Sequence, residues 1–201
     1  MKTKISVLIA LVTIIVFSCK ESAKEEKKEA KEVLPQEQLQ AKITMIGDSV
    51  QGAWAFMMEA DDQKIMFVKR LLDEISYTKK FDIVVHAKLV EKCNALKSKR
   101  FDENTMSNSI SIDKYDAATD SLLREVKALV LATPNVESYP LCGQLLTDIN
   151  ALDNDVVMHR VKYDNWVMEF NKVLDEHKDE IKTLGDPYSN LKKKSTFQLP
   201  E

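Results

Sequence analysis

Apolar residues recur at intervals of three and four positions along most of the chain, which is the spacing that places them on one face of an α-helix. A first stripe runs from Leu39 to Met57, and a second runs from Ile65 to Ile75. The polar stretch 59–63 separates the two stripes. The pattern predicts either one long helix with an irregularity in its middle or two consecutive helices.

The segment 81–99 is ambiguous because residues 83–85 are β-branched, and such residues favour strands. Its apolar pattern continues to Leu96, however, well beyond the usual length of a strand. Asp82 directly precedes the pattern, in the position of a helix N-cap. We therefore predict a second helix here.

The stretch 102–111 is rich in Asn and Ser, which is typical of a loop. Apolar residues between Tyr115 and Leu129 predict a third helix. The proline within 133–135 marks the end of that helix, because proline cannot continue a helical hydrogen-bond pattern.

The most regular pattern is the last one, where steps of four and three alternate over about forty residues. A sustained spacing near 3.5 predicts the seam of a helix packed lengthwise against its neighbours. One helix of this length would measure about 60 Å, so it would either project beyond the shorter helices or pair with another copy. The seam consists of Leu145, Ile149, Leu152, Val156, His159, Tyr163, Trp166, Phe170, Val173, His177, Ile181 and Leu184.

Four amphipathic segments with short connections predict an all-α fold, in the form of an antiparallel four-helix bundle with long first and last helices. The chain contains only 4 glycines and 5 prolines, and such scarcity of helix breakers favours this class over a many-turned β fold. Its formal net charge is -3, which lacks the positive excess that holds nucleic-acid phosphates. We expect no nucleic-acid partner.

The beginning of the chain has the pattern of an export signal. Lys2 and Lys4 precede an apolar run over 5–17, which is shorter than the about 20 residues that a transmembrane helix needs. Residues 16–19 resemble a bacterial lipobox, with an aliphatic residue at its start and a small residue before Cys19. This resemblance predicts lipidation of Cys19. Cleavage by the general signal peptidase, which would leave no anchor, is the alternative.

These signals predict three parts of the chain: a signal peptide at 1–18, a lipidated cysteine with a charged tether at 19–35, and a helical domain at 36–201. The stretch 20–32 has no large apolar side chain, so it cannot bury surface and is expected to be solvated. Several acyl chains on Cys19 would give a stable membrane anchor. We expect the protein in the bacterial cell envelope, at the periplasmic face or at the cell surface.

Several short motifs follow one another between residues 40 and 200, and their order and spacing resemble those of the LemA family of membrane-associated bacterial helical proteins. The motifs are Ala53-Trp54 with Lys69-Arg70-Leu71-Leu72-Asp73-Glu74-Ile75, then Glu137-Ser138-Tyr139-Pro140-Leu141, then Arg160-x-x-Tyr163 with Val167 and Phe170-Asn171, and finally Phe197.

The resemblance implies a four-helix envelope protein with no enzymatic activity to inherit. Some relatives are encoded near membrane proteases or TPM-domain proteins, which implies an accessory role and a partner of that kind. Three features depart from the family. Asp164 stands where the family usually has Asn, residues 177–181 replace a Phe-Pro region, and the predicted anchor is a lipid where many relatives have a transmembrane helix.

Arg160, Tyr163, Trp166 and Asn171 form the candidate interaction or structural motif of the last helical segment. Arg160 and Tyr163 lie about one helical turn apart, so both can donate hydrogen bonds that lock neighbouring helices. Direct contact with a ligand or partner is the alternative role for these side chains.

The histidines offer a weak case for a metal site. His86 follows Asp82 by four residues and His159 follows Asp155 by four, a spacing used by metal sites in helical bundles. In an antiparallel bundle the two histidines would lie at different heights, about 6 Å and 25 Å from one end. We therefore expect no metal and no cofactor, and interpret His159 and His177 as hydrogen-bonded packing residues.

Cys93 and Cys142 would also lie at different heights, whereas a disulfide needs Cα atoms within about 7 Å. We expect two separate, largely buried thiols. No nucleophile motif or phosphate-binding loop is present in the sequence. The sequence therefore predicts a non-catalytic interaction or accessory protein for another envelope component. A ligand- or metal-binding module that uses His159 or His177 is the alternative.

Overall fold

The computed structural model describes residues 34–197, and within them every regular element is helical. Residues 34–197 belong to one compact unit. The predicted signal peptide and Cys19 lie outside the described residues. No helix in the described part is both long and apolar enough to span a bilayer. The all-α prediction is confirmed.

The first helix, α1, runs without interruption over Gln36–Tyr77. Its 42 residues make a rod about 63 Å long. The gap in the apolar stripe is therefore not a break in the helix. Asp61 and Lys64 occupy the core-facing positions there, and both are buried. Charged side chains continue the stripe between Met57 and Val68, which explains why the apolar pattern alone left two possibilities open.

The second and third helices are α2, Ile83–Leu96, and α3, Ser109–Ala132. The predicted cap of α2 is confirmed, because the Asp82 carboxylate accepts hydrogen bonds from the amides of Val84 and Val85 at 3.0 Å. The α3 helix begins in the same way, with the Asn108 side chain accepting from the Ile110 amide at 3.1 Å.

The predicted long last helix is divided into α4, Pro140–Asn154, α5, Val156–Glu176, and α6, Lys178–Thr183. A single long last helix is therefore not confirmed. The first interruption is at Asp155, where the backbone has φ −77° and ψ −12° and the amide still donates to the Ala151 carbonyl at 3.1 Å. At the second, His177 leaves helical geometry, with φ −114° and ψ 27°. The buried seam nevertheless continues across both interruptions.

Long-range contacts give the directions of α2, α4 and α5 relative to α1. Trp54 packs against Tyr163 and Lys64 binds Asp153, so α1 runs antiparallel to α4 and α5. His86 Nε2 lies 2.8 Å from the carbonyl oxygen of Leu72, which pairs α2 with α1 in the antiparallel sense. The apolar stripes of all the long helices meet in one core. Its fully buried members include Leu39, Ile46, Val50, Leu71, Leu72, Ile75, Leu89, Leu122, Ile149 and Tyr163.

An extended segment, residues 191–197, follows α6 and returns along α5. We call it the C-terminal strap. Its Phe197 is only 4% exposed and belongs to the main core, so this irregular segment completes the packing of the helices.

Candidate functional site

A partly open cavity of about 210 Å³ lies where the middle of α1 meets α3 and the junction of α4 with α5. Apolar side chains form part of its wall, and charged side chains of both signs form the rest. The charged members are Asp61, Lys64, Arg100, Asp116, Asp120, Asp153 and Arg160.

The inner wall of the cavity is a buried charge network centred on Asp61, which is 6% exposed. Its carboxylate accepts a short hydrogen bond from the Tyr115 hydroxyl and a second from Arg100 at 3.0 Å. Lys64, one turn further along α1, donates to Asp153 at 3.0 Å and lies 3.6 Å from Asp61. A buried charge is tolerated when it is paired and hydrogen-bonded, and each of these charges is.

Tyr115 stays a hydrogen-bond donor in this network. Burial, reinforced by the negative charge of Asp61, raises the pKa of Tyr115 well above its ordinary value. The phenol therefore keeps its proton at neutral pH. It serves to bind the Asp61 carboxylate, and a phenol so hard to ionise is a poor general base.

The outer wall is less completely paired. Arg160 donates two hydrogen bonds to Asp116, at 2.8 Å and 2.7 Å, in the bidentate geometry of a guanidinium with a carboxylate. Asp120 is exposed and makes no ion pair or hydrogen bond within residues 34–197. The rim of the cavity thus carries one unpaired negative charge.

Arg160 also stands at one side of an aromatic cluster. Its guanidinium carbon lies 5.0 Å from the centre of the Phe197 ring. The rings of Trp54 and Tyr163 surround the same phenylalanine, with ring centres 6.4 Å and 5.7 Å away. Phe101 closes the cluster at 5.6 Å. Trp54, the pair Arg160 and Tyr163, and Phe197 belong to three of the LemA-like motifs, and they meet at the end of the strap.

Polar groups of α5 hold the strap beside this cluster. The Asp164 carboxylate accepts a hydrogen bond from the Phe197 amide at 2.8 Å. Burial raises the pKa of Asp164, against the opposing effects of that amide and of Arg160. The amide group of Asn171 binds the backbone of Lys194 through both its nitrogen and its oxygen.

Tyr163 is fully buried, and its hydroxyl donates to Glu103 at 3.2 Å. The same Glu103 carboxylate accepts from Lys194 at 2.6 Å. Burial, together with Glu103, raises the pKa of Tyr163 above its ordinary value. The loop before α3, the helix α5 and the strap are thereby linked through one carboxylate.

Three of the four residues of the predicted motif lie at the strap, and the fourth does not. The structure brings Arg160, Tyr163 and Asn171 to the strap, and their polar groups bind other parts of the same chain. Trp166 is half-buried against the core and takes no part in the aromatic cluster. Sequence reasoning missed Asp61 and Lys64 as members of a site, although their place in the α1 stripe was the available signal.

The histidines do not assemble a metal site. His86 packs against Phe81, whereas His159 packs against Phe56, with ring centres 4.8 Å and 4.9 Å apart. The buried Nδ1 atoms of His159 and His177 have no hydrogen-bond partner in the described part of the chain. That differs from the expectation of hydrogen-bonded packing. No group of three or more His, Cys, Asp or Glu in residues 34–197 is arranged to hold a metal ion.

Cys93 and Cys142 are separate and buried, as predicted. Burial raises the pKa of both thiols, so neither is an activated nucleophile.

Comparisons of the chain with protein-family models, with curated proteins and with solved structures give no match. The resemblance to the LemA family therefore rests on the short motifs alone.

Proposed function

We propose that this protein is a non-catalytic, LemA-like lipoprotein of the bacterial cell envelope that binds another envelope component through the outer face of α5. We infer that α1, α2, α3 and the α4–α5 run form an antiparallel four-helix bundle that carries this face. The lipid on Cys19 would hold the domain at a membrane, and the charged stretch before α1 would serve as its tether.

The observation that carries the proposal is the exposure of four apolar side chains on α5. Val157, Met158, Val161 and Met168 are between 41% and 58% exposed. With 3.6 residues per turn they fall within an arc of about 100°. We call this arc the outer α5 face. The core-facing residues of α5 occupy the opposite side of the helix, so packing in the core does not account for these four, although Val157 also lines the edge of the cavity. Exposed apolar side chains grouped on one face are typical of an interaction site.

The charged groups near the cavity support a non-catalytic role. Asp61, Lys64 and Arg160 are each engaged by a partner of opposite charge, and Tyr115 is held protonated. Catalysis by general acid and base needs a group that exchanges its proton near the working pH. The network is instead suited to holding α1, α3 and the α4–α5 junction together.

The test is capture of the full chain from its own membranes in mild detergent, followed by native mass spectrometry. We expect a stoichiometric protein companion, of which a membrane protease or a TPM-domain protein is the class that the resemblance implies. Val161→Ser with Met168→Ser should release it. The matched control is Ile83→Ser with Val84→Ser, which removes two apolar side chains of greater exposure, 70% and 76%, from another part of the molecule. A companion retained by the α5 variant would overturn the choice of surface, and a doubled chain mass would make the companion a second copy.

The anchor is tested separately by growth with a labelled fatty acid. The protein should acquire the label, and the Cys19→Ser variant should not. An unlabelled wild-type protein would remove the lipid from the proposal and leave the interaction surface standing.

A small-ligand binding module is the second candidate, because the cavity combines an apolar wall with the unpaired carboxylate of Asp120. That chemistry suits a small organic cation. Native mass spectrometry of the same preparation would then show an added small mass in place of a protein companion, and Asp120→Asn would abolish it.

A further inference from the structure

A second exposed apolar surface lies at the turn between α1 and α2. Tyr77 ends α1 and is 63% exposed, while Ile83 and Val84 begin α2 and are 70% and 76% exposed. Val85, in the same turn of α2, is 39% exposed. None of the four belongs to the core or packs against it. Their exposure therefore has no explanation in the stability of the domain.

These four side chains come from the last turn of α1 and the first turn of α2, which the short connection over 78–82 joins. We call Tyr77, Ile83, Val84 and Val85 the α1–α2 tip.

Two unpaired lysines flank the tip. Lys79 and Lys80 form the turn itself, are exposed, and make no ion pair within the described residues. The neighbouring Asp82 carboxylate is occupied by two backbone amides as the cap of α2. Two further exposed acids lie near this end, Asp73 one turn before Tyr77 in α1 and Glu137 in the turn between α3 and α4. Only the two lysines lie within the turn that joins the apolar side chains of α1 and α2.

We propose that the α1–α2 tip inserts into the surface of a bilayer that contains anionic lipid. Tyrosine favours the interface between water and acyl chains, and isoleucine and valine favour the acyl region below it. Lysines on the same turn would lie among the lipid phosphates and add attraction to an anionic surface. Protruding side chains need no matching groove in a bilayer, whereas a protein partner would have to supply one.

This inference goes beyond the proposed function and does not depend on it. The tip is at the opposite end of α1 from Gln36, about 63 Å away along the helix axis. The tip is therefore far from the end of α1 at which the described part of the chain begins.

The test is flotation with vesicles of phosphatidylcholine, with or without phosphatidylglycerol. It uses residues 33–201, because this part contains the compact unit with the whole described core, and because the apolar run 5–17 would itself bind lipid. We expect the protein to float with the anionic vesicles. Ile83→Ser with Val84→Ser should lower the partition coefficient at least about tenfold, since two aliphatic side chains that would insert into the bilayer are lost. Lys79→Gln and Lys80→Gln should each lower it about fivefold, and only with phosphatidylglycerol present.

The matched control is Met158→Ser with Met168→Ser, which changes side chains of similar exposure on the outer α5 face. It should float like the wild-type protein, and circular dichroism should show that every variant is folded. Failure of the wild-type protein to float would overturn the proposal, as would equal loss in the tip variant and the α5 control. If the tip variant instead loses a cross-linked protein in cells while no variant binds vesicles, the tip is a protein-binding surface and the lipid proposal is wrong.

The two proposals fail independently. Loss of the companion in the α5 variant alone supports the interaction role, whatever the vesicles show. Loss of flotation in the tip variant alone supports the lipid contact, whatever the companion does.

Discussion

Asn171 and Lys194 exchange two hydrogen bonds, in which Asn171 Nδ2 donates to the Lys194 carbonyl at 2.8 Å and Asn171 Oδ1 accepts from the Lys194 amide at 2.9 Å. The side chain of a helix thus binds an extended segment as a neighbouring strand would. Only a side-chain amide offers a donor and an acceptor side by side in this geometry.

Replacement of Asn171 by Ala should loosen the strap. We expect the free energy of unfolding to fall by about 1–3 kcal/mol, because both Lys194 backbone groups lose their partner. Hydrogen exchange should accelerate at residues 191–197 and remain slow in α1. Asn171→Asp keeps the acceptor and loses the donor, so its free energy of unfolding should lie between those of the wild-type protein and the Ala variant. Unchanged exchange in the Ala variant would mean that the two hydrogen bonds do not hold the strap.

Truncation of Phe197 should cost more than loss of these hydrogen bonds. Phe197→Ala removes a buried ring from between Trp54, Tyr163 and Arg160, and such changes lower stability by about 3–5 kcal/mol. Urea unfolding measures the difference. Leu191→Ala is the matched control in the same strap, because Leu191 is 36% exposed and its loss should change stability by about 0.5 kcal/mol or less. Similar losses in both variants would contradict the burial of Phe197.

The buried charges on α1 should respond unequally to substitution. Asp61→Leu leaves Tyr115, Arg100 and Lys64 without a common partner, and breaking a buried network in this way costs about 3–5 kcal/mol. Lys64→Met should cost about 1 kcal/mol or less, because methionine keeps the apolar stem, Asp61 keeps two other partners, and the 35% exposed Asp153 side chain is solvated. Thermal unfolding of the two variants tests the ranking, and the reverse order would show that Lys64 is the centre of the network.

Asp164 should make stability depend on pH. Its folded pKa is raised by burial above the ordinary value of 3.8, so ionisation is harder in the folded protein than in the unfolded chain. This loss of stability is absent when the pH is below the pKa of Asp164 in the unfolded chain, and it is complete when the pH is above the pKa in the folded protein. Asp164→Asn keeps the acceptor for the Phe197 amide and removes the charge. We expect this variant to be more stable than the wild-type protein at neutral pH, with the difference shrinking as pH falls through the raised pKa. Urea unfolding across the acidic range measures it, and a difference that grows on acidification would contradict the direction of the shift.

The sequence predicted the helices well and the junctions between them less well. Asp82 fixed the start of α2 correctly, since a cap acts through amides only two and three residues away. Local information of that kind did not reveal the interruptions near Asp155 and His177. The seam crosses both of them with its spacing intact, so periodicity alone could not detect them.

The candidate site was predicted only in part, because local patterns do not reveal which distant residues come together. Arg160, Tyr163 and Asn171 stood out, but the strap that they contact could not be placed from the sequence, because it has no periodic pattern. Asp61 lies in the polar stretch that left two interpretations of this region open, and Lys64 adjoins that stretch, since a stripe is recognised by its apolar members. Their pairing depends on Tyr115, Arg100 and Asp153, which lie far away along the chain.

The strap has a consequence for how the protein must be made. Trp54 and Phe101 lie far from Phe197 along the chain, and their ring contacts with it cannot form until residue 197 has been translated. A chain that stops short of that point leaves both rings without their shared partner. The core that the helices begin is therefore completed only by an intact C-terminal strap, and a fragment that ends before Phe197 cannot complete it.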